Sequence, residues 1–261
     1  MRHALNLIQN GYKNILVRTI DTDVLVLLVT HFSHVQLDGA RIHAYLINSD
    51  KYYDIKAIID ALEADISRAL SFFYAFSGCD TVSSFYGKGK CKSYDVWLNS
   101  SQKDELTKMF IQLGESPVEI TSDQMDLLEK YVLELYGSRA TSFAAARLDK
   151  FNKSTDNDLR SLPPSKDALY QHVLRACYQA GYLWWQSVEE LEIPDPNDWG
   201  WKLDTARTLF HPLWTTTHSS VTINDFTKTC SCKTGKCKTC NCANANLQCL
   251  SMCGCSRSCI A

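Results

Sequence analysis

Asp21 and Asp23 stand one residue apart, between the apolar run Ile15-Leu16-Val17 and a second run from Val24 to Val29. A buried strand that ends in carboxylates presents hard oxygen ligands at the carboxyl edge of a sheet, the place where α/β proteins hold divalent ions. The same pair can instead end a strand and cap the helix that follows. A third acid, Asp80, lies in Ser77-Gly78-Cys79-Asp80-Thr81. Shortly after it come Gly87, Lys88, Gly89 and Lys90, where glycines allow tight turns and lysines set positive charge beside exposed backbone amides. That combination suits a phosphate, with a solvated lysine-rich turn as the alternative.

The other chemical feature is a tail dense in cysteine. Of the 12 cysteines, Cys79, Cys91 and Cys177 are scattered, and the remaining nine lie between Cys230 and Cys259. They are Cys230, Cys232, Cys237, Cys240, Cys242, Cys249, Cys253, Cys255 and Cys259, spaced C-x-C-x4-C-x2-C-x-C-x6-C-x3-C-x-C-x3-C. Leu247, Leu250 and Met252 are almost the only apolar residues among them, too few for a core. An odd number of thiols and the lack of an export signal argue against disulfides. Thiolate-bound zinc fits better: nine cysteines, three of them bridging, close about three tetrahedral zinc sites. Lysines such as Lys233, Lys236 and Lys238 offset the negative charge of such a cluster. Each structural zinc would supply folding energy on the order of 10 kcal/mol.

These residues need elements to carry them. Leu5, Leu7 and Ile8 before Gly11 predict a short helix. Asn14–Thr19 reads as a strand, and Val24–Phe32 as either a buried strand or a buried helix. Arg41–Ile47 reads as a second strand, and Asp54–Leu62 and Ser67–Phe76 as helices. Helices are also expected over Asp104–Leu113, Ser122–Tyr136 and Ser142–Phe151, then over Lys166 to about Ser187. The stretch from Pro194 to Trp214 is rich in proline and tryptophan and reads as an extended wrap anchored on the body, with stacking of its tryptophans on unpaired bases as the functional alternative.

The chain has 261 residues, 45% of them hydrophobic, and a net charge of −2. A sizeable core is therefore available, and nucleic-acid contact requires a local basic patch rather than the whole surface. No signal peptide and no membrane-length apolar run are visible. The chain is expected inside the cell, in the nucleus rather than the cytoplasm.

In order, an Asp-x-Asp at the end of a strand, a helix delivering Gly-x-Asp, and a Gly-x-Gly-Lys turn resemble the C-terminal half of a PIN-like domain. The flap-endonuclease branch and a group of invertebrate PIN-like proteins are nearest. The resemblance covers about residues 1–98. It implies an α/β fold, catalytic Asp21, Asp23 and Asp80, magnesium or manganese at those acids, and a nucleic-acid backbone at Gly87–Lys90. Members carry further acids upstream, whereas the first acid here is Asp21, so the sequence is expected to begin inside the domain with an incomplete carboxylate set. The tail resembles the tesmin-type CXC zinc module, whose relatives bind DNA or sit in chromatin proteins. Where that family has an aromatic residue before the second Cys-x-Cys, this chain has Thr239, leaving backbone contact by lysines as the implied mode.

The expected architecture is an α/β protein with three parts. Residues 1–152 form a truncated PIN-like sheet flanked by helices, 153–226 a helix and the Trp/Pro-rich wrap, and 227–261 a cysteine-rich zinc-cluster module. The expected function is nucleic-acid binding by a nuclease-derived protein whose catalytic set is incomplete. The alternatives are a non-catalytic zinc-cluster scaffold for chromatin or a protein partner, and an active metal-dependent phosphodiesterase.

Overall fold

The computed structural model describes residues 1–33, 39–115, 119–153, 158–188, 190 and 192–216. Residues 1–216 form one unit and 217–261 a second, so the described residues all belong to the first. The nine tail cysteines, and with them the expected zinc cluster, lie outside the described residues.

The fold mixes helices with small sheets. Helix α1 (Arg2–Gln9) stops before Gly11, whose φ of +86° is the left-handed conformation that favours glycine. Strand β1 (Asn14–Thr19) runs parallel to β2 (Arg41–Leu46), with Ile15 opposite Ile42 and Val17 opposite Ala44. Strand β3 (Lys51–Asp54) returns antiparallel to β2, giving the order β1-β2-β3. A parallel pair needs a crossover, and α2 (Thr22–Phe32) supplies it. The apolar run after Asp23 is therefore a helix. It is apolar nearly all round, as a helix buried against a sheet should be, and every residue from Leu27 to Phe32 is buried.

One core forms where Ile15, Ile42 and Ala44 meet Leu28 and Phe32 of α2 and Ile55 of α3 (Ile55–Ala61). On the opposite face of the sheet Leu16 and Tyr52 are exposed, and Tyr45 stacks on Tyr52 with centroids 4.5 Å apart.

A larger core surrounds α4 (Ala64–Phe76), which also packs against α2. Phe72, Phe73 and Phe76 meet Trp97 of α5 (Lys90–Asn99), Phe110 of α6 (Lys103–Glu115) and Tyr131 of α7 (Ser122–Leu135). Burying each such ring stabilises the fold by roughly 1.5–3 kcal/mol before cavity effects. Thr121 and Gln124 close a capping box at the start of α7, which explains why that helix begins where it does. Helix α8 (Phe143–Lys153) contributes Phe143 and Ala146.

The helix expected from Lys166 changes its winding. It is α-helical as α9 (Lys166–Cys177), π-helical over Tyr178–Trp184, and a 3-10 turn over Trp185–Ser187. The wrap beyond it is anchored, as expected, and also contains a hairpin that the sequence reading missed: β4 (Trp201–Asp204) against β5 (Leu209–Pro212). Trp199 packs edge-on to Tyr182 at 5.1 Å. Arg175 Nη1 donates to the carbonyls of Gly200 at 2.9 Å and Leu213 at 2.6 Å. Gly200 has φ +78°, and a Cβ there would lie 2.6 Å from the Gln171 carbonyl, so only glycine fits. Cys79, Cys91 and Cys177 are free thiols. Among the described residues no helix is long and apolar enough to cross a membrane.

Candidate functional site

Both readings of the Asp21–Asp23 pair meet in one place. Asp21 follows β1 and is the N-cap of α2: its Oδ1 accepts the Asp23 N–H at 2.8 Å, and its own N–H donates to Thr19 Oγ1 at 3.0 Å. Capping satisfies one of the free amides at a helix start and sets the negative charge where the helix dipole favours it. Asp23, in the first turn, is half-buried. Burial raises its pKa above the ordinary carboxylate value; the charges of Asp21 and then Asp80 raise it further, while Lys90 and a hydrogen bond with Tyr74 oppose the shift. The three aspartates are thus gathered within electrostatic reach of one another by the end of β1 and the loop after α4.

That loop is tightly held. Gly78 has φ +112°, and a Cβ on it would sit 2.6 Å from Ser84 Cβ and 2.9 Å from Ser84 Cα, so the chain doubles back in a way only glycine permits. Cys79 N–H donates to the Val82 carbonyl at 2.9 Å. Thr81 Oγ1 donates to Gln179 Oε1 at 2.6 Å, and Ser83 Oγ pairs with His172 Nδ1 at 3.2 Å. His172 uses its other nitrogen on the Phe76 carbonyl at 2.8 Å, and burial pushes its pKa down to about 4. A neutral imidazole with Nε2–H donating therefore accepts a hydrogen bond from the Ser83 hydroxyl at Nδ1. Asp80 itself is exposed.

Lys90 points away from the turn on which it lies. Its ammonium donates to the carbonyl of Tyr74 at 3.0 Å, to the carbonyl of Gly78 and to Ser77 Oγ at 3.4 Å, and it sits 3.7 Å from the centre of the Tyr74 ring. Burial lowers its pKa, and the Cys79 and Asp23 side chains oppose that. Lys90 thus closes the C-terminal end of α4, where free carbonyls favour a cation, and places positive charge beside Asp23. Tyr74 completes the group: its hydroxyl is 2.8 Å from Thr22 Oγ1, and burial raises its pKa.

The magnesium or manganese implied by the family resemblance would have to be held by Asp21, Asp23 and Asp80. Their hard oxygens are of the right kind. However, Asp21 is engaged in capping, and the cation beside Asp23 is Lys90. Among the described residues no group of three or more His, Cys, Asp or Glu side chains is placed to hold a metal ion. The acids gather but do not form a ligand set.

The rest of the glycine–lysine turn faces differently. Gly87, with φ +68°, closes a turn in which Lys88 N–H donates to the Phe85 carbonyl at 2.9 Å. Gly89 is the N-cap of α5 and carries no side-chain cap, which leaves first-turn amides of that helix without one. Lys88 Nζ lies 5.1 Å from the centre of the Tyr136 ring, and Lys150 Nζ of α8 lies 5.4 Å from the same ring. Burial lowers the pKa of Lys88, and repulsion from Lys150 and Lys92 lowers it further. Among the described residues none of these three lysines is in a salt bridge. Sequence reasoning named Lys88 but not Lys92, Lys150 or Tyr136. Lys150 and Tyr136 lie far from the turn in sequence, and only the packing of α7 and α8 brings them to it.

No family model, curated protein or solved structure matches the chain.

Proposed function

We propose that this chain is a nucleic-acid-binding protein built on a nuclease-related, PIN-like body, with an incomplete catalytic set and a zinc-cluster module at its C-terminal end. The observation that carries the reading is the placement of Lys88 and Lys150 over the Tyr136 ring, with Lys92 within electrostatic reach of Lys88, beside the uncapped start of α5. Like charges held together at a desolvated site are relieved by a polyanion. Helix-start amides and lysines together are the usual means of gripping a phosphodiester backbone.

The relation to nucleases is supported by the order of the Asp-x-Asp, Gly-x-Asp and Gly-x-Gly-Lys segments and by the gathering of Asp21, Asp23 and Asp80. Lys90, set against Asp23, supports a cluster that serves structure rather than hydrolysis. For the tail, the spacing of its nine cysteines supports about three structural zinc ions.

The test is binding of single-stranded and flap DNA by fluorescence anisotropy across a salt series. Affinity should fall steeply with salt and drop in Lys88→Glu and Lys150→Glu. Salt-independent binding, or binding indifferent to both substitutions, would remove the patch from the interface. Manganese-dependent cleavage abolished by Asp21→Ala would replace the binding reading with the phosphodiesterase one.

A further inference from the structure

Arg175 is 2% exposed, yet it lines a cavity of about 260 Å³. Only its Nη1 is used by the wrap, on the Gly200 and Leu213 carbonyls. Among the described residues Nε and Nη2 make no hydrogen bond, and no carboxylate lines the cavity. Burial pushes the pKa of Arg175 down to about 10, which still leaves it charged at neutral pH. A buried cation that lines a cavity with no acid among its lining residues is a group awaiting an anion. The planar guanidinium fork suits phosphate or carboxylate oxygens.

The rest of the wall says what the anion is attached to. Trp214, 59% exposed, lies with its ring 5.3 Å from the Arg175 guanidinium. Tyr86 is also half-exposed, with the Arg160 guanidinium 5.0 Å from its ring. Flat aromatic faces beside arginines take a planar ring. The volume is slightly below the range of about 300–1,000 Å³ usual for drug-sized ligands, so the cavity admits one small unit rather than a length of polymer. Tyr136 is shared: it lines the cavity and carries Lys88 and Lys150 over its ring.

We propose that this cavity binds a single nucleoside phosphate, its phosphate on Nε and Nη2 of Arg175 and its base against the rings of Trp214 and Tyr86. The ligand is a free mononucleotide or the phosphorylated end of a strand. The site does not require the aspartates, and it stands without the lysine patch.

The experiment is calorimetric titration of the full chain with adenosine monophosphate and with adenosine. The monophosphate should bind at least about tenfold more tightly, as a charge-assisted fork contact requires. Arg175→Lys should erase that preference, and Trp214→Ala should weaken both ligands at least about threefold. Because Arg175 also holds the wrap, the thermal unfolding of Arg175→Lys is measured alongside; if that variant does not fold, Trp214→Ala and the comparison of the two ligands in the unaltered chain decide. The double variant Lys88→Glu, Lys150→Glu should lose strand binding and keep the mononucleotide, which separates this site from the proposed interface. Displacement of the mononucleotide by a phosphate-ended oligonucleotide, and not by its hydroxyl-ended counterpart, identifies a strand end; displacement by neither identifies the free nucleotide. Equal binding of adenosine and its monophosphate, or no binding of either at millimolar concentration, would overturn the proposal.

Discussion

The ammonium of Lys90 sits 3.7 Å from the centre of the Tyr74 ring and donates to the carbonyl of that same residue at 3.0 Å. One lysine thus bridges the first turn of α5 and the last turn of α4, against the side of the site that holds Asp23. Lys90→Met removes this cation while leaving the carbonyl of Gly78 and Ser77 Oγ behind. Loss of a hydrogen-bonded charge should cost about 1.5–3 kcal/mol. It should also raise the pKa of Asp23 further, because a lowering influence is gone. Urea unfolding and carboxyl NMR titration read the two effects; an unchanged midpoint would show that the bridge contributes nothing.

Lys88 should behave in the opposite way. It faces Lys150 and Lys92 and makes no salt bridge among the described residues, so Lys88→Ala should leave stability within about 0.5 kcal/mol. Its DNA affinity should fall, with the slope of log affinity against log salt reduced by about one unit. Comparing Lys88→Ala with Lys90→Met in the same two assays separates the ligand-facing lysine from the structural one.

Asp23 carries a raised pKa, so its ionisation opposes folding. The penalty is absent below the unfolded carboxyl pKa and complete above the folded one. Asp23→Asn should therefore stabilise the protein at pH 7, by up to about 1 kcal/mol because solvent still screens the group, and leave it unchanged near pH 3. Thermal unfolding at the two pH values checks this.

His172 gives the converse pH dependence. Its folded pKa is about 4 against an ordinary value of 6.5, so the stability it contributes is complete above about pH 6.5 and is lost as pH falls toward 4. The loss should be on the order of 3 kcal/mol. In His172→Gln, which retains a donor for the Phe76 carbonyl, the acid-induced part of the loss should disappear from the pH profile of unfolding.

Gly78→Ala tests the doubled-back loop. With φ +112° and Ser84 in the way, the alanine should cost about 1–3 kcal/mol. It should also move the Asp80 backbone resonances, whereas Gly87→Ala, where nothing lies within 4 Å, carries only the cost of its positive φ.

The helices were legible where apolar residues recur on one face: α4, α6 and α7 lie close to their expected bounds because Phe72, Phe110 and Leu128 mark buried stripes. The run after Asp23 was ambiguous because a helix apolar all round and a doubly covered strand have the same residues; the parallel register of β1 on β2 decided it. Helix α5 escaped notice because its stripe is short, with only Ser93 and Trp97 buried, and two lysines stand in its first turn. The hairpin of β4 and β5 is hidden by its tryptophan and prolines. At the site, Asp21, Asp23, Asp80 and Lys88 could be named from local pattern. Tyr74 and Lys150 could not, since nothing local distinguishes a tyrosine inside an apolar helix or a lysine near a helix end. The direction of the Lys90 side chain is set by carbonyls more than ten residues away in sequence.

The π-helical stretch Tyr178–Trp184 implies something about how the chain tolerates change in length. A wide turn is an extra residue absorbed within a helix without breaking it. Everything before it, including Arg175 and His172, keeps one angular setting, and everything after it is turned by about 100° relative to an uninterrupted α-helix. That turn is what sets the Trp184 ring 6.3 Å from Tyr74 and the Trp185 ring 4.7 Å from His31. Deleting Ala180 would let the helix relax to regular winding, shortening the chain by one residue while uncoupling two tryptophans from α2 and α4. The angular phase of this one helix is therefore a trait that insertion or deletion can switch as a whole, with no substitution at any of the side chains it aims.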